Sequence, residues 1–154
     1  MILGYVRDYL PRVLLTLPGR DGPISAEFIV DTGFDGDLSL PASLLNQLDA
    51  TFSTERIIRL ADGSIHMRPY YEIMLDWDGE DRLTEITVLE NVPLLGAVLM
   101  DGFSVDLEMT TGGVVQLERL RQGTSKAGST VTLWFQVELR LVTEHDNIAA
   151  RFLI

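Results

Sequence analysis

The stretch that decides the reading is Phe28-Ile29-Val30-Asp31-Thr32-Gly33. Three apolar residues in a row bury a strand, and a carboxylate stands where that strand ends. Gly33 lets the chain turn sharply and lets another backbone come close. Thr32 carries a hydroxyl able to bond across to a neighbouring turn. Together they fix a carboxylate at the rim of a hydrophobic core. One such group hydrolyses little. Two that share a proton do so, because like charges about 3 Å apart do not both ionise. The ionised member takes a proton from water, and the protonated member donates to a carbonyl. Average residue frequencies put a chance Asp-Thr-Gly in roughly a few per cent of chains this long. The plain alternative is a strand followed by an Asp-initiated turn, so the surroundings must decide.

Upstream, Arg12 to Leu17 reads as a strand, closed by the turn-forming run Pro18-Gly19-Arg20-Asp21-Gly22-Pro23. Ile24 to Val30 follows, and the two runs read as a hairpin. Downstream, Pro41 to Leu48 carries the signature of one or two helical turns, with Pro41 near the start. Further strands are expected at Arg56 to Leu60, Tyr70 to Trp77, Leu83 to Leu89, Phe103 to Met109 and Val114 to Leu117. Asp62-Gly63 and Asp78-Gly79 mark hairpin turns between them. Leu94 to Met100 reads either as a strand ending or as a single helical turn. Seven or so short strands with little helix predict an all-β barrel or sandwich.

Composition narrows the chemistry. The 154 residues are 46% apolar and 23% charged, which suits one domain with a sizeable core. There is no cysteine, so disulfides, thiol nucleophiles and cysteine-based zinc sites are excluded. The net charge is -11 and the twelve Lys and Arg are scattered, which disfavours a nucleic-acid partner. The acidity reads most simply as solubility. His66 and His145 are the only histidines and neither sits in an HExxH pattern. Asp31, Asp35 and Asp37 do not match the calcium-loop spacing. No G-x-S-x-G motif is present. Neither metal nor cofactor is expected. No apolar run approaches the roughly 18 residues of a membrane span. Met1 to Arg7 lacks the basic start and sustained apolar stretch of a signal peptide, so a cytoplasmic location is expected.

The pieces around Asp31 resemble, in order and spacing, the retroviral-type (retropepsin-like) aspartic proteases, in the small stand-alone form found in prokaryotes. The resemblance covers about residues 10 to 120. A hairpin leads into Phe28 to Gly33. Phe34-Asp35-Gly36-Asp37-Leu38-Ser39-Leu40-Pro41 is similar to the strand that leaves the catalytic loop. Arg59-Leu60-Ala61-Asp62-Gly63-Ser64-Ile65-His66 is similar to the flap hairpin. Pro93-Leu94-Leu95-Gly96-Ala97-Val98-Leu99-Met100 matches the apolar-apolar-Gly segment and the short helix after it. The resemblance implies a closed barrel of short strands with a flap hairpin and one short helix. It implies that Asp31 is the catalytic carboxylate and that Thr32 bonds across a dimer axis. It has Gly33 contact substrate through its backbone, and Asp35 accept hydrogen bonds from substrate backbone. The turn at Asp62, Gly63 and Ser64 would close over a peptide, with Leu94, Leu95 and Gly96 packed under the catalytic loop.

A single Asp-Thr-Gly supplies one aspartate, so an active enzyme must be a symmetric homodimer. The expected activity is that of an aspartic endopeptidase on extended peptides. Two departures from the family pattern support another reading, a non-catalytic binding or assembly module. Phe34 stands where many viral members carry a small residue, which reshapes the neighbouring subsite. The flap has only Gly63 where viral tips are glycine-rich. After the protease-like region, 1–120, residues 121–130 read as a linker. Residues 131–154 read as a C-terminal extension, with an alternating strand expected at Val131 to Leu141 and a short helix, capped by Thr143, as one option for the last residues. That strand either adds dimer contact or packs on its own chain.

Overall fold

The computed structural model describes residues 1–59, 63–89 and 92–121. The expected linker, apart from Arg121, and the expected strand and helix of the extension lie outside the described residues.

Alternation of apolar and polar residues builds the sheet. In β2 (Leu10–Leu17), Val13, Leu15 and Leu17 are buried while Leu14 and Thr16 are exposed. That period of two turns one face of the strand to the core. β3 (Ile24–Val30) pairs antiparallel with β2, as the hairpin reading expected. Phe28 and Val30 bury its core side. A strand not expected from the sequence, β1 (Ile2–Arg7), lies antiparallel on the other side of β2. Its turn is made by Asp8 and Tyr9, at φ 54° and 60°. Two left-handed residues give the tight hairpin turn usually written with glycine. No glycine stands there, which is why the hairpin left no mark in the sequence.

Beyond the Asp31 loop come β4 (Leu38–Leu40) and a single helical turn, α1 (Ala42–Leu45), directly after Pro41. β5 (Thr51–Arg59) and β6 (Ile65–Trp77) form an antiparallel hairpin. β6 was expected to start only at Tyr70, after Pro69. It starts five residues earlier because Pro69 lies where β6 has β5 alone beside it. Pairing of β6 with β7 (Glu80–Val88) begins at Tyr70, so the missing N–H breaks no ladder there. Asp78 and Gly79, at φ 57° and 82°, turn β6 into β7. The chain ends its described part with β8 (Leu94–Leu95), β9 (Phe103–Leu107) and β10 (Val114–Arg119). The Leu94 to Met100 stretch is thus a short strand followed by turns.

The protein is all-β in these residues. Ten strands, against the seven or so expected, make one sheet in the order β5-β6-β7-β4-β8-β3-β2-β1-β10-β9. Two neighbouring pairs are parallel, β3 with β8 and β4 with β7. One apolar cluster takes Val13 and Leu15 from β2, Phe28 from β3, Leu75 and Trp77 from β6 and Leu117 from β10. The sheet therefore curls until distant strands share a core. Trp77, fully buried at the end of β6, meets Phe103 of β9 with ring centroids 5.4 Å apart. Arg119 of β10 donates to the Trp77 carbonyl and lies over the Phe103 ring. Its guanidinium also pairs with Glu80 at 2.9 Å. No helix among the described residues is long and apolar enough to cross a membrane.

Candidate active site

Asp31 follows the last residue of β3 and is half-buried. The strand that carries it is parallel to β8, with Ile29 opposite Leu94 and Val30 opposite Leu95. One more step along, the Asp31 N–H donates to the Leu95 carbonyl at 2.9 Å. The Asp-Thr-Gly triplet and the Leu-Leu-Gly segment, over sixty residues apart, are therefore adjacent through the backbone. The Asp31 Oδ1 accepts from the Gly33 N–H at 2.9 Å. That bond sets the carboxylate's orientation from within its own turn. Thr32 and Gly33 are exposed.

The loop after Gly33 is braced on both sides. Phe34 N–H donates to the Asp31 carbonyl, and Phe34 O accepts from Ala97 N–H at 2.8 Å. Gly96 N–H donates to the Asp37 carbonyl at 2.8 Å. Gly96 has no room for a side chain: a Cβ there would lie 2.2 Å from Gly36 O and 2.5 Å from the Phe34 ring. Phe34 is half-buried against this glycine pair, so its bulk is accommodated by the absence of side chains opposite.

Asp37 anchors the far end of the loop. Its Oδ2 accepts from the Glu85 N–H at 3.0 Å, and its Oδ1 faces Arg82 at 3.5 Å. Arg82 also donates to the Leu99 and Val98 carbonyls, at 3.0 and 2.8 Å. One guanidinium thus ties the Asp31 loop to the turn after β8. Sequence reading passed over Arg82. Its signal was a charge at a core-facing position of β7, opposite buried Leu75. Such a charge needs a partner.

A cleft of about 520 Å³ opens between this loop and the β5–β7 strands. Phe34 and Asp35 line one wall, Arg56, Tyr70, Glu85 and Thr87 the other. Arg56 holds both carboxylate oxygens of Glu85 and lies over the Tyr70 ring, 4.5 Å from its centroid. The Arg56 pKa is raised, chiefly by the hydrogen bond to Glu85, and the guanidinium stays charged. None of the four was singled out from the sequence as a site residue. A bidentate pair across β6 is visible only once the register is known.

Comparison with family models, with curated proteins and with solved structures gave no match to this chain. The site is therefore described by its own geometry.

Of the residues expected at the site, Asp31, Thr32, Gly33, Phe34 and Asp35 are contiguous, and Phe34 and Asp35 reach the cleft. Asp35 is exposed. Asp62 lies outside the described residues. Gly63, at φ 84°, and Ser64, bonded to the His66 ring at 3.0 Å, sit at the hairpin's end and are not in the cleft lining. The β5–β6 hairpin instead presents Ile57, Ile65 and Met67, which are 70%, 61% and 63% exposed. Ile57 pairs with Met67, and Met67 shares the core-facing side of β6 with Ile73 and Leu75. The core side of the sheet thus continues, still apolar, beyond the core itself.

Proposed function

We propose that residues 1–120 are a retropepsin-like domain, a sheet closed into a barrel by side chains, and that the chain works as a homodimeric aspartic endopeptidase. The observation that carries this reading is the backbone bond from Asp31 to Leu95, which joins the two most specific sequence pieces at one point. The exposed Thr32 and Gly33, available to a second copy, support it. So does the apolar hairpin face at Ile57 and Met67, suited to an extended peptide laid against it.

Two Asp31 carboxylates, one from each copy, share a proton at the two-fold axis. The ionised one takes a proton from water, and the oxygen attacks the scissile carbonyl. The other donates its proton to the carbonyl oxygen. The tetrahedral intermediate then expels the amine, which leaves with a proton returned by the dyad. No covalent intermediate forms. Gly33 holds each carboxylate by the bond already described.

Asp31→Asn in the full chain is the direct test. Cleavage of a diverse peptide pool, followed by mass spectrometry from about pH 4 to 7, is expected to fall by about 10²–10⁴-fold. Wild-type cleavage by that variant, or activity from a protein that sediments strictly as a monomer, overturns the proposal. The second reading, a binding module without catalysis, is favoured by Phe34, whose ring already fills the space between Gly36 and Gly96. A confirmed dimer that binds peptides and cleaves none establishes it.

A further inference from the structure

Residues 31–37 lie between β3 and β4 and belong to neither strand. They are held by the chain at and just past β8. Four backbone bonds make the join: Asp31 N–H to Leu95 O at 2.9 Å, Gly96 N–H to Asp37 O at 2.8 Å, Ala97 N–H to Phe34 O at 2.8 Å and Val98 N–H to Gly36 O at 3.2 Å. The Asp31 carboxylate is therefore placed no better than residues 95–98 are.

Those residues run into turns whose own bonds are long. Met100 N–H reaches Gly96 O at 3.4 Å, and Asp101 N–H reaches Val98 O at 3.3 Å. The firmer tie at this end is Arg82 of β7, which donates to Val98 O at 2.8 Å and to Leu99 O at 3.0 Å. Leu99 is fully buried, and no backbone N–H among the described residues donates to its carbonyl. Buried carbonyls are paired as a rule, and here one side chain does the pairing. The same guanidinium faces Asp37 Oδ1 at 3.5 Å, at the far end of the loop. Arg82 thus grips both of the segments that the four bonds join.

We infer that Arg82 is a positioning residue for the Asp31 carboxylate; the inference rests on the peptidase reading above. Arg82 is not in the cleft lining, so its loss lowers the rate and leaves peptide binding in place. Two carboxylates that share a proton meet at about 3 Å. A misplacement of about 1 Å, caused by a change remote from the chemistry, costs about a hundredfold in rate. The planar fork of arginine meets several oxygens together, whereas a lysine ammonium is a point charge that does not span them.

The test compares the full wild-type chain with Arg82→Gln, Arg82→Lys and Arg119→Gln. Arg119 is the control: its guanidinium also clamps a backbone carbonyl, that of Trp77, and pairs with Glu80, neither of them in the Asp31 loop. In peptide cleavage, both Arg82 variants are expected to lose about a hundredfold in kcat with KM within about twofold, while Arg119→Gln keeps its kcat. Amide exchange is followed by NMR on the same proteins. In the Arg82 variants the N–H groups of Asp31, Gly96 and Ala97 should exchange about tenfold faster, with the β1–β2 ladder unchanged. Wild-type kcat in either folded Arg82 variant, or an equal loss in Arg119→Gln, overturns the inference and leaves the peptidase reading standing. Unchanged exchange at the three amides overturns it as well. A wild type that cleaves nothing sinks the peptidase reading, and the exchange rates then decide by themselves whether Arg82 places Asp31. Should Arg82→Gln not fold, Arg82→Lys, which keeps the charge and loses the fork, carries the comparison.

Discussion

Gly96 shows how tightly single residues hold the Asp31 loop. Its neighbours are the Gly36 carbonyl and the Phe34 ring and carbonyl, of which only the ring can swing aside. Gly96→Ala is therefore expected to lower stability by about 1–3 kcal/mol, the usual cost of overpacking. A shift of the urea midpoint at unchanged slope is the readout. A variant as stable as wild type would mean that the loop has slack. Glu27 illustrates the opposite case, a carboxylate held by its partners. It accepts from Tyr5 Oη, Arg7 and Arg12. Its pKa is lowered, first by the Tyr5 hydrogen bond, with Arg12 and Arg7 adding to it and desolvation opposing. A carboxylate whose folded pKa lies below its unfolded value binds protons more readily when unfolded. Its contribution is fully present above the usual value of 4.5 and is lost as pH falls through the lowered one. Glu27→Gln should lose part of the acid limb. In urea titrations from about pH 3 to 7, the wild type falls more steeply below 4.5 than the variant does. Parallel curves would remove Glu27 from the account.

At the scale of elements, most of the strands were legible because one face of each is buried and the alternation shows it. β3 was read with its observed ends, since Ile24 to Val30 is bounded by a Pro-Gly-rich turn and by Asp31. β1 was not, because Asp8 and Tyr9 adopt a turn that their residue types do not advertise. β6 was cut short at Pro69, a residue that breaks a strand paired on both sides and not one paired on a single side. The candidate site divides the same way. Asp31 to Asp35 are contiguous and could be picked out as a block. Asp37–Arg82 and Arg56–Glu85 join residues more than twenty-five apart through ladders whose register depends on the Asp78–Gly79 turn. Side chains that act across a sheet become readable only after pairing is known.

At the scale of the whole molecule, the proposed dyad makes one chain half a site. Mixing tests it without a new structure. When an equal amount of Asp31→Asn chain is equilibrated with wild type, random pairing leaves about half of the wild-type chains in all-wild-type dimers. Activity per wild-type chain should therefore drop to about half, and recover as the variant is removed. No drop would mean that each chain carries a complete site. Trp77, Phe103 and Arg119 join β6 to β9 and β10, strands far apart in the order of the sheet, through side chains and one carbonyl. Paired strands fix their spacing at about 4.8 Å by their backbone bonds. Rings and a guanidinium set no such fixed distance. At this contact the distance from β6 to β9 is thus set by the bulk of two aromatic side chains. Exchanging either alters the packing there, whereas the register of the strands is held by their backbone ladders.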